Sequence, residues 1–185
     1  MSKTQAVIIT SVLILLSAYI FSTADTTQNN LQKDPPKTVP YVEINKYLGA
    51  WYEQSVIPFY FERNCERTVA NYSLNSDGTI RIDNICYRSG VKHESVGKAF
   101  PDPQDKDHTN AKLKVEFSTT FDIEANYWIV RLDSGYSYSV VCSPNYNYLW
   151  ILYRSPRMPE DLYQKIYEDL KQDGFPVEKL RRTVQ

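Results

Sequence analysis

From Ala50 to Tyr153 the chain is a succession of eight short apolar, β-branched or aromatic runs parted by turn residues, and that rhythm restricts the available folds. The runs are Ala50–Ile57, Thr68–Leu74, Thr79–Tyr87, His93–Ala99, Ala111–Phe117, Tyr127–Leu132, Ser137–Cys142 and Tyr148–Tyr153. Residues of these types fit a pleated, half-buried surface. Asn75-Ser76-Asp77-Gly78, Ser89-Gly90 and Ser134-Gly135 supply hairpin turns, and Ser143-Pro144-Asn145 closes the last hairpin. Pro101 to Asn110 is a longer charged loop. Hairpins in series place neighbours in sequence beside each other in space, and such a sheet loses its two exposed edges only by closing on itself. The expected fold is all-β, an eight-stranded antiparallel up-and-down β-barrel.

The flanks read differently. Pro159 suits the start of a helix, Glu160 and Asp161 favour its positive end, and Gly174 suits its stop. Leu162, Ile166 and Leu170 recur at helical spacing with Tyr163 and Tyr167 beside them, so one C-terminal helix is expected to pack outside the barrel. Phe175 to Val184 leaves room for a last strand, and Tyr41 to Leu48 for one helical turn covering a barrel end. Residues 25–40 are polar, with Pro35, Pro36 and Pro40, and read as an exposed flexible linker before a domain spanning 41–185. In residues 1–24, Lys3 precedes an almost wholly apolar run to Phe21, then Ser22-Thr23-Ala24. That is the pattern of a cleaved signal peptide; an uncleaved membrane anchor is the other reading. Either way the protein is expected to be exported, to the periplasm or outside the cell.

Export into an oxidising compartment makes one disulfide, with one thiol left over, the most that three Cys can give. Cys65 precedes the second strand and Cys86 ends the third, about two residues out of register, so their pairing requires a bulge and is left open. Cys142 points outward from the seventh strand. Asn71-Tyr72-Ser73 is a glycosylation sequon that matters only in a eukaryote. With net charge −1 and no basic block, nothing suggests a nucleic-acid surface. The histidines, His93 and His108, belong to no hydrolase, metalloprotease or phosphate-loop pattern, so neither an enzyme, a cofactor nor a metal site is expected.

Tyr47-Leu48-Gly49-Ala50-Trp51-Tyr52-Glu53 opens the first strand. Gly49 lets the backbone pivot, and Trp51 is a large plug with one polar edge. This Gly-x-Trp motif, with Phe61-Glu62-Arg63, Ala70-Asn71-Tyr72-Ser73-Leu74 and Tyr148-Leu149-Trp150-Ile151-Leu152, resembles the lipocalin family, in particular the subgroup of bacterial Blc and apolipoprotein D. Leu132-Asp133-Ser134-Gly135-Tyr136 is a loose match to the family's Thr-Asp-Tyr turn, with Leu in place of Thr and two residues between Asp and Tyr. Trp150 to Arg154 is similar to its final-strand pattern. The resemblance covers about residues 41–184. It implies that Gly49, Trp51, Asp133 and Arg154 form the closed base, with the Arg154 guanidinium stacked on Trp51.

With Trp51 pointing in, strand alternation sends Ala70, Tyr72, Ile80, Ile82, Asn84, Leu113, Val115, Phe117, Tyr127, Ile129, Ser139, Val141, Tyr148, Trp150 and Leu152 inward. Leu113 and Leu152 read as filler or wall. The remainder of this mainly apolar lining suits a fatty acid, lysophospholipid or similar lipid, and the resemblance implies a carrier of such small hydrophobic ligands. The alternative is a barrel filled by its own side chains. Phe59, Tyr60 and Phe61 would cross the mouth, either as a lid that meets ligand or membrane surface, or as local core. A membrane-associated protein handling lipid at the bilayer is the second functional reading. Monomer and homodimer are both compatible with the residues.

Overall fold

The computed structural model describes residues 33–58, 64–117 and 123–185, and the fold below is that of residues 35–185. The Phe59–Phe61 loop and residues 1–24 therefore lie outside the described residues. A single helical turn, α1 (Ile44–Tyr47), leads into β1 (Gly49–Ile57), β2 (Glu66–Leu74), β3 (Ile80–Arg88) and β4 (Val91–Pro101). β5 (Lys112–Phe117), β6 (Ile123–Leu132), β7 (Tyr138–Cys142) and β8 (Leu149–Tyr153) follow. Each strand pairs antiparallel with the next, and β1 pairs with both β8 and β2, so the sheet closes. This is the expected eight-stranded barrel with a C-terminal helix, α2 (Glu160–Gln172), on its outside.

Closure is uneven around the ring. β1 pairs with β2 only through Gly49–Tyr52, opposite Tyr72–Val69. Nearer the mouth the register of β2 shifts between Glu66 and Val69, with Arg67 at φ 50°. The chain end fills the resulting gap. A two-residue strand, β9 (Arg181–Arg182), pairs with Val56 and Ser55, and the Arg67 N–H donates to Val184 O at 2.6 Å. The last strand expected within Phe175–Val184 is thus short, preceded by a 3₁₀ turn at Val177–Lys179.

Two apolar cores share the wall. The inner one holds Trp51, Tyr72, Ile80, Ile82, Leu113, Val115, Ile129, Val141 and Leu152. The outer one gathers Val130, Val140, Cys142, Leu149 and Ile151 against Tyr163, Ile166 and Leu170 of α2. This explains two sequence textures. β5 alternates strictly, as Lys112-Leu113-Lys114-Val115-Glu116-Phe117, because one face meets solvent. β8 is apolar throughout, as Leu149-Trp150-Ile151-Leu152-Tyr153, because both its faces are covered. Ile166 and Leu170 of the expected stripe are buried, and at its start Tyr163 is buried while Leu162 flanks it. The Tyr163 hydroxyl reaches Ser55 Oγ on β1 at 3.2 Å, a bond Leu162 has no group to make. The helix ends as expected at Gly174, where Phe175 N–H returns to Leu170 O at 2.9 Å.

Residues before 41 also touch the barrel. Pro36 is buried and Val39 N–H donates to Ile129 O at 2.9 Å, so the packed domain begins before residue 41. Polar composition hid this, because the contact is carried by a main-chain amide rather than by an apolar period.

Candidate functional site

The base is built first, by Gly49. Its φ of 91° turns the chain from α1 into β1, and a Cβ there would stand 3.4 Å from Arg154 Nη1. Trp51 points inward and is fully buried, its Nε1–H donating to Tyr47 O at 2.8 Å. The Arg154 guanidinium lies 3.8 Å from the Trp51 ring centroid. It donates to Lys46 O at 2.7 Å, Ala50 O at 3.0 Å and Tyr136 O at 3.2 Å. One cation therefore fastens α1, β1 and the β6–β7 turn while stacking on an indole. Asp133 holds that turn by accepting from Gly135 N, Ser137 N and Ser137 Oγ at 3.1, 3.2 and 2.8 Å. The Ser137 hydroxyl bond is the main cause of a carboxyl pKa below the usual range.

Above Trp51 lies a chain of hydroxyls. Tyr47 Oη stands 2.9 Å from both Tyr127 Oη and Ser139 Oγ, and Tyr72 Oη is 3.0 Å from Tyr127 Oη. Burial pushes the Tyr47 phenol up to about 12, with the Ser139 and Tyr127 bonds opposing it, and burial likewise raises Tyr127. Neutral, mutually bonded phenols turn a potentially costly polar cluster into a satisfied floor.

A small cavity of ≈ 10 Å³ opens on this floor, lined by Tyr47, Tyr72, Ile80, Ile82, Ala99, Leu113, Val115 and Tyr127. That is room for roughly one water molecule, yet the surface it presents is apolar. Of the residues read from sequence as facing inward, Tyr72, Ile80, Ile82, Leu113, Val115 and Tyr127 meet here. Ile129 and Val141 face inward, are fully buried in the inner core and do not line this cavity. Leu113, read as filler or wall, is wall. Ala70, Phe117 and Trp150 pack around the inner core without being fully buried. Tyr148 sits just before β8 with its ring 6.1 Å from that of Trp150. Asn84, opposite Ala70 and Ser95, is half-buried on the inner face toward the mouth.

Two wall residues escaped the sequence reading. Ala99 carries no bulk to announce itself, although its alternation with Lys98 was available. Tyr47 lies four residues before Trp51 and ends a helical turn, and only docking of that turn reveals that its ring enters the barrel, 4.9 Å from the indole.

Cys65 and Cys86 form a disulfide with a Cα separation of 5.5 Å. The register shift between Glu66 and Val69 is the bulge that their spacing required. Cys142 is free, buried beneath α2, and its thiol is pushed up to about 12 by burial. Asn71 is exposed on β2.

A family model described as a lipocalin-like domain matches residues 42–185. The chain belongs to the lipocalin family. Members of this family bind small hydrophobic ligands and are generally binding or transport proteins. Among its relatives, this lipocalin is 35% identical to the outer membrane lipoprotein Blc of Escherichia coli K12 over 150 residues, 78% of this chain and 82% of that one. It is 32% identical to apolipoprotein D of Bos taurus over 185 residues, 94% of this chain and 95% of that one. Insecticyanin of the tobacco hornworm Manduca sexta superposes with a TM-score of 0.68 at 19% identity, covering 81% and 84% of the two chains, which speaks for the fold.

Proposed function

We propose that this lipocalin is an exported carrier that holds one fatty acid, lysophospholipid or similar single-chain lipid, tail down, in the barrel. The observation that carries the reading is the contrast along the lumen. The deep end is closed, its hydroxyls are spent on one another, and its accessible wall is apolar. Toward the mouth, Ser95 and His93 are exposed and Asn84 half-buried on inward-facing positions. An amphipathic chain matches that gradient, with aliphatic end below and head in water above. Tyr72, Ile82, Val115 and Tyr127 would meet the tail; Ala70, Asn84, Phe117, Tyr148 and Trp150 would meet the chain nearer its head. Export is supported by the Cys65–Cys86 bond, which belongs to an oxidising compartment, and by relatives such as the lipoprotein named for the outer membrane.

Competitive titration of a fluorescent fatty acid from the purified domain tests the carrier reading. Saturable displacement by palmitate or lysophosphatidylcholine, one per barrel, is expected; no saturable displacement by either ends it. Mass spectrometry of an organic extract of natively purified protein would then identify the cargo.

A further inference from the structure

At the mouth side of the deep cavity, β3, β4 and β5 cross one level. Ile82, Gly97 and Phe117 stand opposite one another there. Val115 lines the cavity, so Phe117, two residues on in the same strand, faces the same lumen one step nearer the mouth. A Cβ placed on Gly97 would lie 2.7 Å from both Cδ1 and Cε1 of Phe117, and 2.9 Å from Glu116 O. Unbonded carbons settle about 3.5–4.0 Å apart. The ring therefore occupies the space that any side chain at position 97 would take. Gly97 is not among the glycines with positive φ, so what the site needs from it is the missing side chain, not backbone freedom.

Resting on the carrier reading, we infer that Phe117, seated on Gly97, is the specificity-determining residue of the lumen, letting the end of a single unbranched chain pass beside its ring toward the deep cavity and turning away wide or fused-ring tails. The seat lets the ring lie against β4, where a side chain at position 97 would displace it. The ring still takes up width that a smaller residue would free. Removing the ring and removing its seat should therefore act in opposite directions. Without the ring the lumen widens; without the seat the ring is forced off the wall and the lumen closes.

Two fluorescent fatty acids with the same carboxylate head provide the test: a straight conjugated tetraene and a pyrene-tailed chain of similar length. The wild type is expected to favour the tetraene. Phe117→Ala should raise pyrene affinity relative to tetraene by about tenfold, the scale on which small changes in pocket volume discriminate. Gly97→Ala should weaken both probes, and Gly97→Ala with Phe117→Ala should recover the tetraene. Because Glu116 O also crowds position 97, that variant is read beside its melting curve; if it does not fold, Phe117→Ala and Phe117→Leu, which disturb no backbone contact, decide the matter. A probe ratio unchanged within twofold in Phe117→Ala overturns the inference, as does a wild type that takes both probes equally, and both leave the carrier reading intact. Wild-type protein that binds neither probe overturns the carrier reading itself.

Discussion

The two ends of the barrel interior are built on opposite terms. At the base, Trp51 is fully buried and Arg154 bonds three carbonyls, while four hydroxyls bond one another. Toward the mouth, the inner face of β4 is exposed from Val91 to Ser95, and the wall is secured from the side by a disulfide and by the chain end lying against β1 and β2. A closed end in which each group fixes another concentrates stability, and an end with unfilled inner positions leaves freedom for a guest. The difference teaches that the family's signature residues mark the scaffold, and the proposed binding lies above them.

The sharpest way to break this contrast is at Trp51. Its replacement by Ala should cost about 3–5 kcal/mol in denaturant unfolding, as large aromatic core deletions do. A wild-type midpoint would show that the base does not anchor the fold. Next in size is the mouth-side clamp. Cys65 and Cys86 are 21 residues apart, and reducing their bond should cost about 3 kcal/mol by loop-closure entropy. Unfolded, unreduced protein should show a single reactive thiol, Cys142, and three would mean that the bond does not form.

Alkali should then loosen the base selectively. Tyr47 holds its proton to about 12 in the fold, against 10.0 when free. Between those values the unfolded chain has lost a proton that the native one keeps, so stability is full below pH 10 and declines toward 12. That difference corresponds to about 2–3 kcal/mol, and Tyr47→Phe should flatten that part of the curve. An alkaline slope unchanged in that variant would remove Tyr47 as its source.

What could be read from sequence was whatever is local. Alternation in β5, the pivot at Gly49 and the turn at Asp133 each depend on a few adjacent residues, and the eight strands followed from their turns. The Trp51–Arg154 stack came from a motif pair matched to a family, and no spacing rule alone would have joined residues so far apart. What escaped depended on contacts between distant segments. The bulge beside Arg67 has no composition of its own and was legible only as a condition of the Cys65–Cys86 bond, and the placing of Tyr47 follows from how α1 docks. β6 begins at Ile123, where Glu124 and Asn126 read poorly as strand, because β5 supplies a partner for it. Ile129 and Val141 face inward and lie fully buried in the inner core; alternation gives a face and says nothing of depth.

The smallest expected effect on stability is the most telling about the mouth. Ser95 lies opposite Asn84 on the inner side of the wall and is nonetheless exposed. Ser95→Leu should therefore change stability by no more than about 0.5 kcal/mol, as at an ordinary surface site. The same isobutyl group would project into the proposed path of the ligand and should weaken fatty-acid binding several-fold, mainly for chains long enough to reach that level. Stability and affinity would then separate at one residue, where Trp51→Ala should lose both together. A melting temperature well below the wild type's would mean that position 95 is already packed, and the division of labour between base and mouth would fall with it.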